Sequence, residues 1–326
     1  AICISIMTQK HLPLVSIIIP SFNSMKWVRK TLSSILDSNY RNIEIVWVDD
    51  HSTDDSFACA KTILADKPNT RLLVNQGKGA QSARNYGLIM SSGTFVKFMD
   101  ADDCISYDLI QNQVMDLLEH PLSLSKCNWN HFTNEPGDGS HSSAQLCDHS
   151  YMNGATFLAD LWNQNMYPLH AWLIPKTILT DGMKWDENLT QNQDGEYFAR
   201  LCFKADKIIH SSGTAFYRRP MNENLSQKTG VDQVKSQVQV LQTYRSLAIQ
   251  APRASGMRGS FNCQVNNVAY RCACNKVESI LLKQVLDMRL QGEKNYNIIP
   301  QSTRLRFLSA LIGAKATLRI RSIYAN

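Results

Sequence analysis

Over the first 120 residues the apolar positions switch repeatedly between the tight period of a strand and a period near 3.6. Residues 15–19 (Val-Ser-Ile-Ile-Ile) form a β-branched run closed by Pro20, which predicts a buried strand. Trp27, Val28, Leu32, Ile35 and Leu36 then recur at helical spacing across residues 26–36. A second strand is predicted over 43–48, ended by Asp49 and Asp50. The polar run 51–55 supplies N-cap residues for a helix reaching residue 65. A third strand (71–74) is followed by a glycine-broken loop (75–79) and a helix over 80–90. A fourth strand, 94–99, runs directly into Asp100, Asp102 and Asp103. Strand–helix alternation at this spacing predicts an α/β domain whose parallel sheet is covered by helices on both faces.

Composition changes this picture little. At 326 residues the chain is long enough for one large domain or two ordinary ones. With 44% apolar and 19% charged residues it reads as a soluble protein, and 15 glycines with 10 prolines exclude collagen-like or proline-rich chains. No uninterrupted run of 18 apolar residues predicts a spanning helix. Residues 1–7 are apolar but too short, and without a basic lead, for a secretory signal. The nine cysteines lack metal-ligand spacing, and Cys272 and Cys274 are too close together for a zinc knuckle. A reducing, cytoplasmic setting is the expectation.

Charge is more informative. Residues 1–220 carry 19 Lys and Arg against 23 Asp and Glu, whereas residues 221–326 carry 15 against 5. A basic end on an acidic body predicts a polyanionic partner there. Between Lys294 and Asn326 no acid occurs, while Arg304, Arg306, Lys315, Arg319 and Arg321 interleave with Leu305, Phe307, Leu308, Leu311, Ile312, Leu318, Ile320 and Ile323. Such a basic amphipathic segment, residues 303–326, suits an anionic membrane surface, and the alternative is a terminal helix packed on the preceding domain. It lacks the aromatic platform of a nucleic-acid module, so no nucleic-acid partner is expected. The chain is therefore expected in the cytoplasm, peripheral on the inner face of the membrane.

Ligands of open α/β sheets bind beyond the carboxyl ends of the strands. Those ends carry Pro20 to Asn23, then Asp49 and Asp50, then Asp100, Asp102 and Asp103. Acidic clusters on one sheet edge repel unless cations or donors lie between them, and carboxylate oxygens are natural ligands of a divalent metal beside a phosphate-bearing ligand. Gly77, Lys78, Gly79 and Arg84 add close backbone approach and positive charge suited to phosphates. Strand one is not followed by G-x-G-x-x-G, and G-x-x-x-x-G-K-[ST] is absent, which excludes dinucleotide-binding and P-loop readings. The loop after strand one also lacks the basic glycine signature of nucleotidyl transfer.

Four blocks in order, residues 15–23 (VSIIIPSFN), 48–54 (VDDHSTD), 79–87 (GAQSARNYG) and 98–103 (FMDADD), resemble the family 2 glycosyltransferases of the A-type fold. The resemblance spans residues 12–120 and continues more loosely to 220 through WDENL (185–189) and QDGEYFAR (193–200). His51 stands where that family usually has glycine. The resemblance implies a GT-A-type, mostly parallel sheet flanked by helices, with a helical C-terminal region. It divides the chain into a transferase domain over 1–220, with a nucleotide-binding half (12–120) and an acceptor half (121–220), and a basic C-terminal region over 221–326. It implies inverting transfer of a sugar from a nucleotide-diphosphate donor, a UDP-sugar first among them, to a glycan or lipid-linked acceptor hydroxyl in cell-envelope polysaccharide synthesis.

Carried over residue by residue, Asp100 and Asp102 look like the family's D-x-D motif. Asp102 would be the main ligand of Mg²⁺ or Mn²⁺, Asp100 would reach the ribose or the metal, and Asp103 would assist either role. Asp49 or Asp50 would accept from the base edge against a wall of Pro20 and Phe22, and Lys78 and Arg84 would contact base or diphosphate. Asp194 would be the catalytic base, with Glu196 and Glu187 as lesser candidates that could instead cap or pair. Arg218 and Arg219 lie where the family places a diphosphate-contacting loop. Trp129, Trp162, Tyr167, His170 and Trp172 would shape the acceptor site, each with core packing as its alternative. His170 and His210 are further metal-ligand candidates, with the satisfied structural histidine as the commoner role. The other functional class left open is a non-catalytic nucleotide-sugar-binding scaffold.

Overall fold

The computed structural model describes residues 12–139, 150–163, 167–180, 182–219, 231–274 and 279–291. The basic segment 303–326 lies outside them. Described residues up to Gly154, with Tyr167–Glu187 and 204–219, form one compact unit, and 155–163, 188–203 and those from 231 onward form a second.

The first unit is built on β1 (Val15–Ser21), every residue of which is buried. Helix α1 (Met25–Leu36) covers it with Val28, Leu32 and Ile35 turned inward. Then follow β2 (Ile43–Asp49), α2 (Ser56–Leu64), β3 (Thr70–Val74), α3 (Ala80–Met90) and β4 (Phe95–Phe98). Strands β3, β2, β1 and β4 pair in parallel in that order, as the alternation predicts. β1 does not stop at Pro20. Its ladder with β4 ends at Ile18, so Pro20 and Ser21 pair only with β2, and a residue with one strand neighbour tolerates the missing donor. Gly87 on α3 lets that helix lie on the sheet, because a Cβ there would stand 2.4 Å from Ile18 Cγ2.

Beyond β4 the sheet becomes mixed. β5 (Cys104–Ile105), α4 (Leu109–Glu119), β6 (Leu124–Phe132), β7 (Trp172–Pro175) and β8 (Ile208–Arg218) complete an eight-stranded order β3-β2-β1-β4-β7-β6-β8-β5. β7 runs antiparallel to both β4 and β6, and β8 runs parallel to β6. Two reversals restore direction. The carboxyl ends of β6 and β8 therefore share an edge with those of β1, β2 and β4, and Phe132 stands in register with Arg218 there.

The opposite edge is tied by one buried carboxylate. Glu44 on β2 accepts from Ser16 Oγ (2.5 Å), Ser92 N–H and Oγ (2.8 Å each) and Arg71 Nε (3.0 Å), joining β1, β2, β3 and the approach to β4. These bonds hold its carboxyl below the ordinary range although burial pushes the other way.

The second unit is helical: α5 (Gly154–Trp162), α6 (Gln193–Lys204), α7 (Val231–Gln250), α8 (Met257–Cys274) and α9 (Ser279–Asp287). Trp162 of α5 stacks on Tyr244 of α7 at 4.4 Å. Ser236 Oγ accepts from the N–H groups of Thr190 and Gln191, and Asn262 exchanges two hydrogen bonds with the Leu290 backbone. Among the described residues no helix is long and apolar enough to cross a membrane.

Candidate active site

The loops after β1 and β2 are stapled together. Asn23 N–H donates to Ser52 Oγ (3.0 Å), Ser24 N–H to Ser56 Oγ (2.7 Å) and Met25 N–H to Asp54 (3.2 Å), while Asn23 Oδ1 accepts from Thr53 N–H (2.8 Å). Asn23 and His51 both take left-handed backbone conformations, with φ of 47° and 61°. The glycine usual at position 51 would adopt that conformation without strain. The stapled loops leave Phe22 60% exposed and Pro20 buried behind it.

Sequence alone leaves Asp49 and Asp50 equivalent, and the structure separates them. Asp50 accepts the Gly79 N–H through both oxygens (2.8 and 3.0 Å) and Asn75 Nδ2 (2.7 Å), so it holds the glycine loop against the end of β2. Gly79 sits at φ 90°, which presents that N–H. Asp49 accepts Ser52 N–H through Oδ2 (2.9 Å), while its Oδ1 is buried with no hydrogen-bond partner. Lys78 is exposed at the loop tip.

The acidic loop after β4 carries its own counter-charges. Arg84, expected at base or diphosphate, is instead buried, donating to Asp100 Oδ1 at 2.7 Å with its guanidinium 4.6 Å from the Trp185 ring. Arg218, the last residue of β8, places Nε and Nη2 at 2.8 and 2.6 Å from Asp102 Oδ2 and lies 4.7 Å over Trp27. Asp103 faces inward, away from the role of donor or metal contact. It is 1% exposed, lies 2.9 Å from His170 Nδ1 and accepts the Arg218 N–H at 2.9 Å. His170 is thus the buried partner of a carboxylate that anchors the loop. Lys97, also fully buried, donates to the carbonyls of His170 and Trp172 (2.8 and 2.9 Å) and fixes the segment that carries His170.

Burial and the neighbouring charges of Asp103 and Asp100 push the Asp102 carboxyl up to about 7, against the pull of Arg218. Asp100 and Asp102, each about one-third exposed, offer hard oxygen donors that fit a divalent cation. Among the described residues no group of three His, Cys, Asp or Glu is disposed to hold a metal. A cation here would complete its shell with phosphate oxygens and water, the usual mode for Mg²⁺.

Other expected residues have different surroundings. Glu187 accepts from Asn85 Nδ2 (2.8 Å), and Asn85 also clamps the Trp185 backbone. Glu196 is held by Arg200 through two 2.8 Å bonds and by Thr243 Oγ1 (3.1 Å). Asp194 stands in the first turn of α6, in the second unit. Arg219 N–H closes on the Phe132 carbonyl. His210 Nδ1 lies 3.2 Å from the buried Lys126 Nζ. Trp129 and Trp172 are core residues of the first unit, Tyr167 packs against Trp172, and Trp162 belongs to the second unit. Sequence reading missed Trp27 and Trp185 as platforms for the two arginines. Helical spacing marks Trp27 as apolar, and nothing local pairs it with a residue 191 positions away.

The sequence profile described as glycosyl transferase family 2 matches residues 16–225. The UDP-Glc:alpha-D-GlcNAc-diphosphoundecaprenol beta-1,3-glucosyltransferase WfgD of Escherichia coli is 34% identical over 117 residues, covering 36% of this chain and 46% of that protein. The chain spans less than half the length of the curated relatives it matches. The crystal structure of Staphylococcus aureus TarS 1–349 in complex with UDP-GlcNAc superposes with a TM-score of 0.63 at 18% identity, covering 92% of each chain. The mannosyltransferase PcManGT from Pyrobaculum calidifontis, in complex with GDP-Man and Mn²⁺, gives 0.55 at 13% identity, covering 97% of this chain and 88% of that one. The mixed sheet with acidic loops on its carboxyl edge and the profile match over nearly two-thirds of the sequence agree: the chain belongs to glycosyl transferase family 2.

Proposed function

We propose that the protein is an inverting glycosyltransferase that moves a sugar from a nucleoside-diphosphate donor, a UDP-sugar, to a hydroxyl of a glycan or lipid-linked glycan. The observation that carries this reading is the meeting of Asp100 and Asp102 with Arg84 and Arg218 on the edge that also bears Phe22 and Asp49. Residues 1–220 are assigned the transfer, with 12–120 for the nucleotide and 121–220 for the acceptor, and 221–326 a supporting region. The names of WfgD and of the TarS complex, both with UDP-sugars, support the donor class.

Asp49, with a buried and unpartnered Oδ1, receives a donor N–H from the base while Phe22 covers the ring face. Asp50 and Gly79 hold the loop that bears Lys78 beside the diphosphate. Asp102 with Asp100 would hold Mg²⁺ or Mn²⁺, which as a Lewis acid neutralises charge growing on the diphosphate. The acceptor oxygen attacks the anomeric carbon opposite the breaking bond to the diphosphate, and its proton leaves to a carboxylate base, the role that the family resemblance gives to Asp194.

The test is a panel of nucleotide sugars with and without Mn²⁺, reading nucleoside-diphosphate release and the anomeric configuration of the product by NMR. The proposal expects one donor class, inversion, and loss of most Mn²⁺-dependent donor affinity in Asp102→Asn. Donor binding with no transfer to any acceptor would favour the scaffold, and retention of configuration would overturn the mechanism.

A further inference from the structure

Arg218 occupies an unusual position among the charges of the site. Its Nε and Nη2 converge on a single oxygen, Asp102 Oδ2, and leave Oδ1 of that carboxylate outside the pair. The backbone of Arg218 is pinned independently, because its N–H donates to Asp103 Oδ1 and its strand is in register with β6. The side chain can therefore change partner while its Cα stays fixed. The pair is accessible, with Arg218 17% and Asp102 31% exposed, so exchange needs no opening of the core. The guanidinium also rests on Trp27, whose ring has Lys26 Nζ at 4.8 Å and Lys30 Nζ at 5.9 Å. A guanidinium loses little by trading one oxyanion for another, since carboxylate and phosphate both match its fork. Arg84 is not equivalent: at 4% exposure, against Trp185, it is built in with Asp100.

Resting on the reading of Asp102 as the cation-binding carboxylate, we propose that Arg218 is a placeholder cation. Without donor it neutralises Asp102. When a divalent cation arrives with the nucleoside diphosphate, Arg218 gives up Asp102 and pairs with the diphosphate. The exchange makes binding of cation and diphosphate mutually dependent. A divalent cation alone must expel a guanidinium that then has no anion to receive it, whereas the cation with a diphosphate supplies that anion.

The test is calorimetric titration of the whole chain with Mn²⁺ alone, and with UDP at saturating Mn²⁺, for the parent, Arg218→Gln, Arg218→Lys and Asp102→Asn. The placeholder predicts opposite signs in Arg218→Gln: Mn²⁺ alone binds about tenfold more tightly, and UDP at saturating Mn²⁺ about tenfold more weakly. Arg218→Lys keeps the charge without the fork and falls between. Tryptophan fluorescence gives a second readout. Mn²⁺ with UDP should change the parent's emission as the guanidinium leaves the indole, and Trp27→Phe and Arg218→Gln should lose that component. If both affinities fall together in Arg218→Gln, or neither moves, the placeholder is overturned while Asp102 as ligand stands or falls on its own variant. If Asp102→Asn binds Mn²⁺ and UDP like the parent, the underlying reading fails and the inference with it. Near-UV circular dichroism of each variant separates misfolding from either result.

Discussion

Lys97 offers a sharp test of how the core beneath the acidic loop is held. Its ammonium is completely buried on β4 with two carbonyl acceptors, those of His170 and Trp172. Desolvation pushes its pKa down from the ordinary 10.5 to about 8. At about 1.4 kcal/mol per tenfold change in proton affinity, that drop corresponds to about 3 kcal/mol lost to burying the charge. Between pH 8 and 10.5 the unfolded chain keeps the Lys97 proton while the folded chain has released it. The unfolded state binds more protons there, so this group makes stability rise with pH, fully by about pH 10.5. Buried cysteines and tyrosines act oppositely over the same range, because burial keeps them protonated in the folded state. The measurement is therefore a difference. Urea unfolding of the parent and Lys97→Met, followed by tryptophan fluorescence in reductant from pH 7 to 10.5, removes the common terms. The parent should gain about 3 kcal/mol on the variant across that interval. A difference flat with pH would refute a charged, desolvated Lys97 and leave only a packing role.

Three further outcomes are expected, the first from the structure and the other two from the sequence. Glu44→Gln should cost about 2–3 kcal/mol in unfolding experiments, since it removes the Arg71 charge pair and weakens the Ser16 and Ser92 bonds. Because the folded Glu44 pKa is lowered, its contribution is present above about pH 4.5 and lost as pH falls through the folded value, so the gap between parent and variant should close in acid. Asp194→Asn should lower turnover on the order of 10²-fold or more while donor affinity by calorimetry stays near the parent value; a proportionate loss of donor affinity would move Asp194 out of the base role. For the basic segment 303–326, sedimentation with anionic vesicles should be retained at low salt, lost at high salt and lost on deleting the segment, and equal partition to neutral vesicles would remove the membrane role.

How much of this was legible before any coordinates depends on the range of each interaction. Strands β1 to β4, their helices and the acids at their carboxyl ends follow from local rules. β-branched runs make buried strands, 3.6-residue spacing makes their covering helices, and parallel pairing then delivers Asp49, Asp50, Asp100 and Asp102 to one edge. The departure from glycine at position 51 was legible too, whereas the left-handed backbone that His51 keeps there is shown only by the structure. Which carboxylate does what was not. Asp49 and Asp50 differ because Gly79 and Asn75 close on one and leave an oxygen of the other buried without a partner. Asp103 turns inward because His170, 67 positions later, waits for it in the core. Arg218 reaches Asp102 only because β7 runs against both β4 and β6, so that β8 returns in the direction of β1. Sequence by itself determined the charges that the sheet edge carries. Tertiary structure decided their pairing, because opposite charges meet across the sheet through strand direction and register, which no local periodicity encodes.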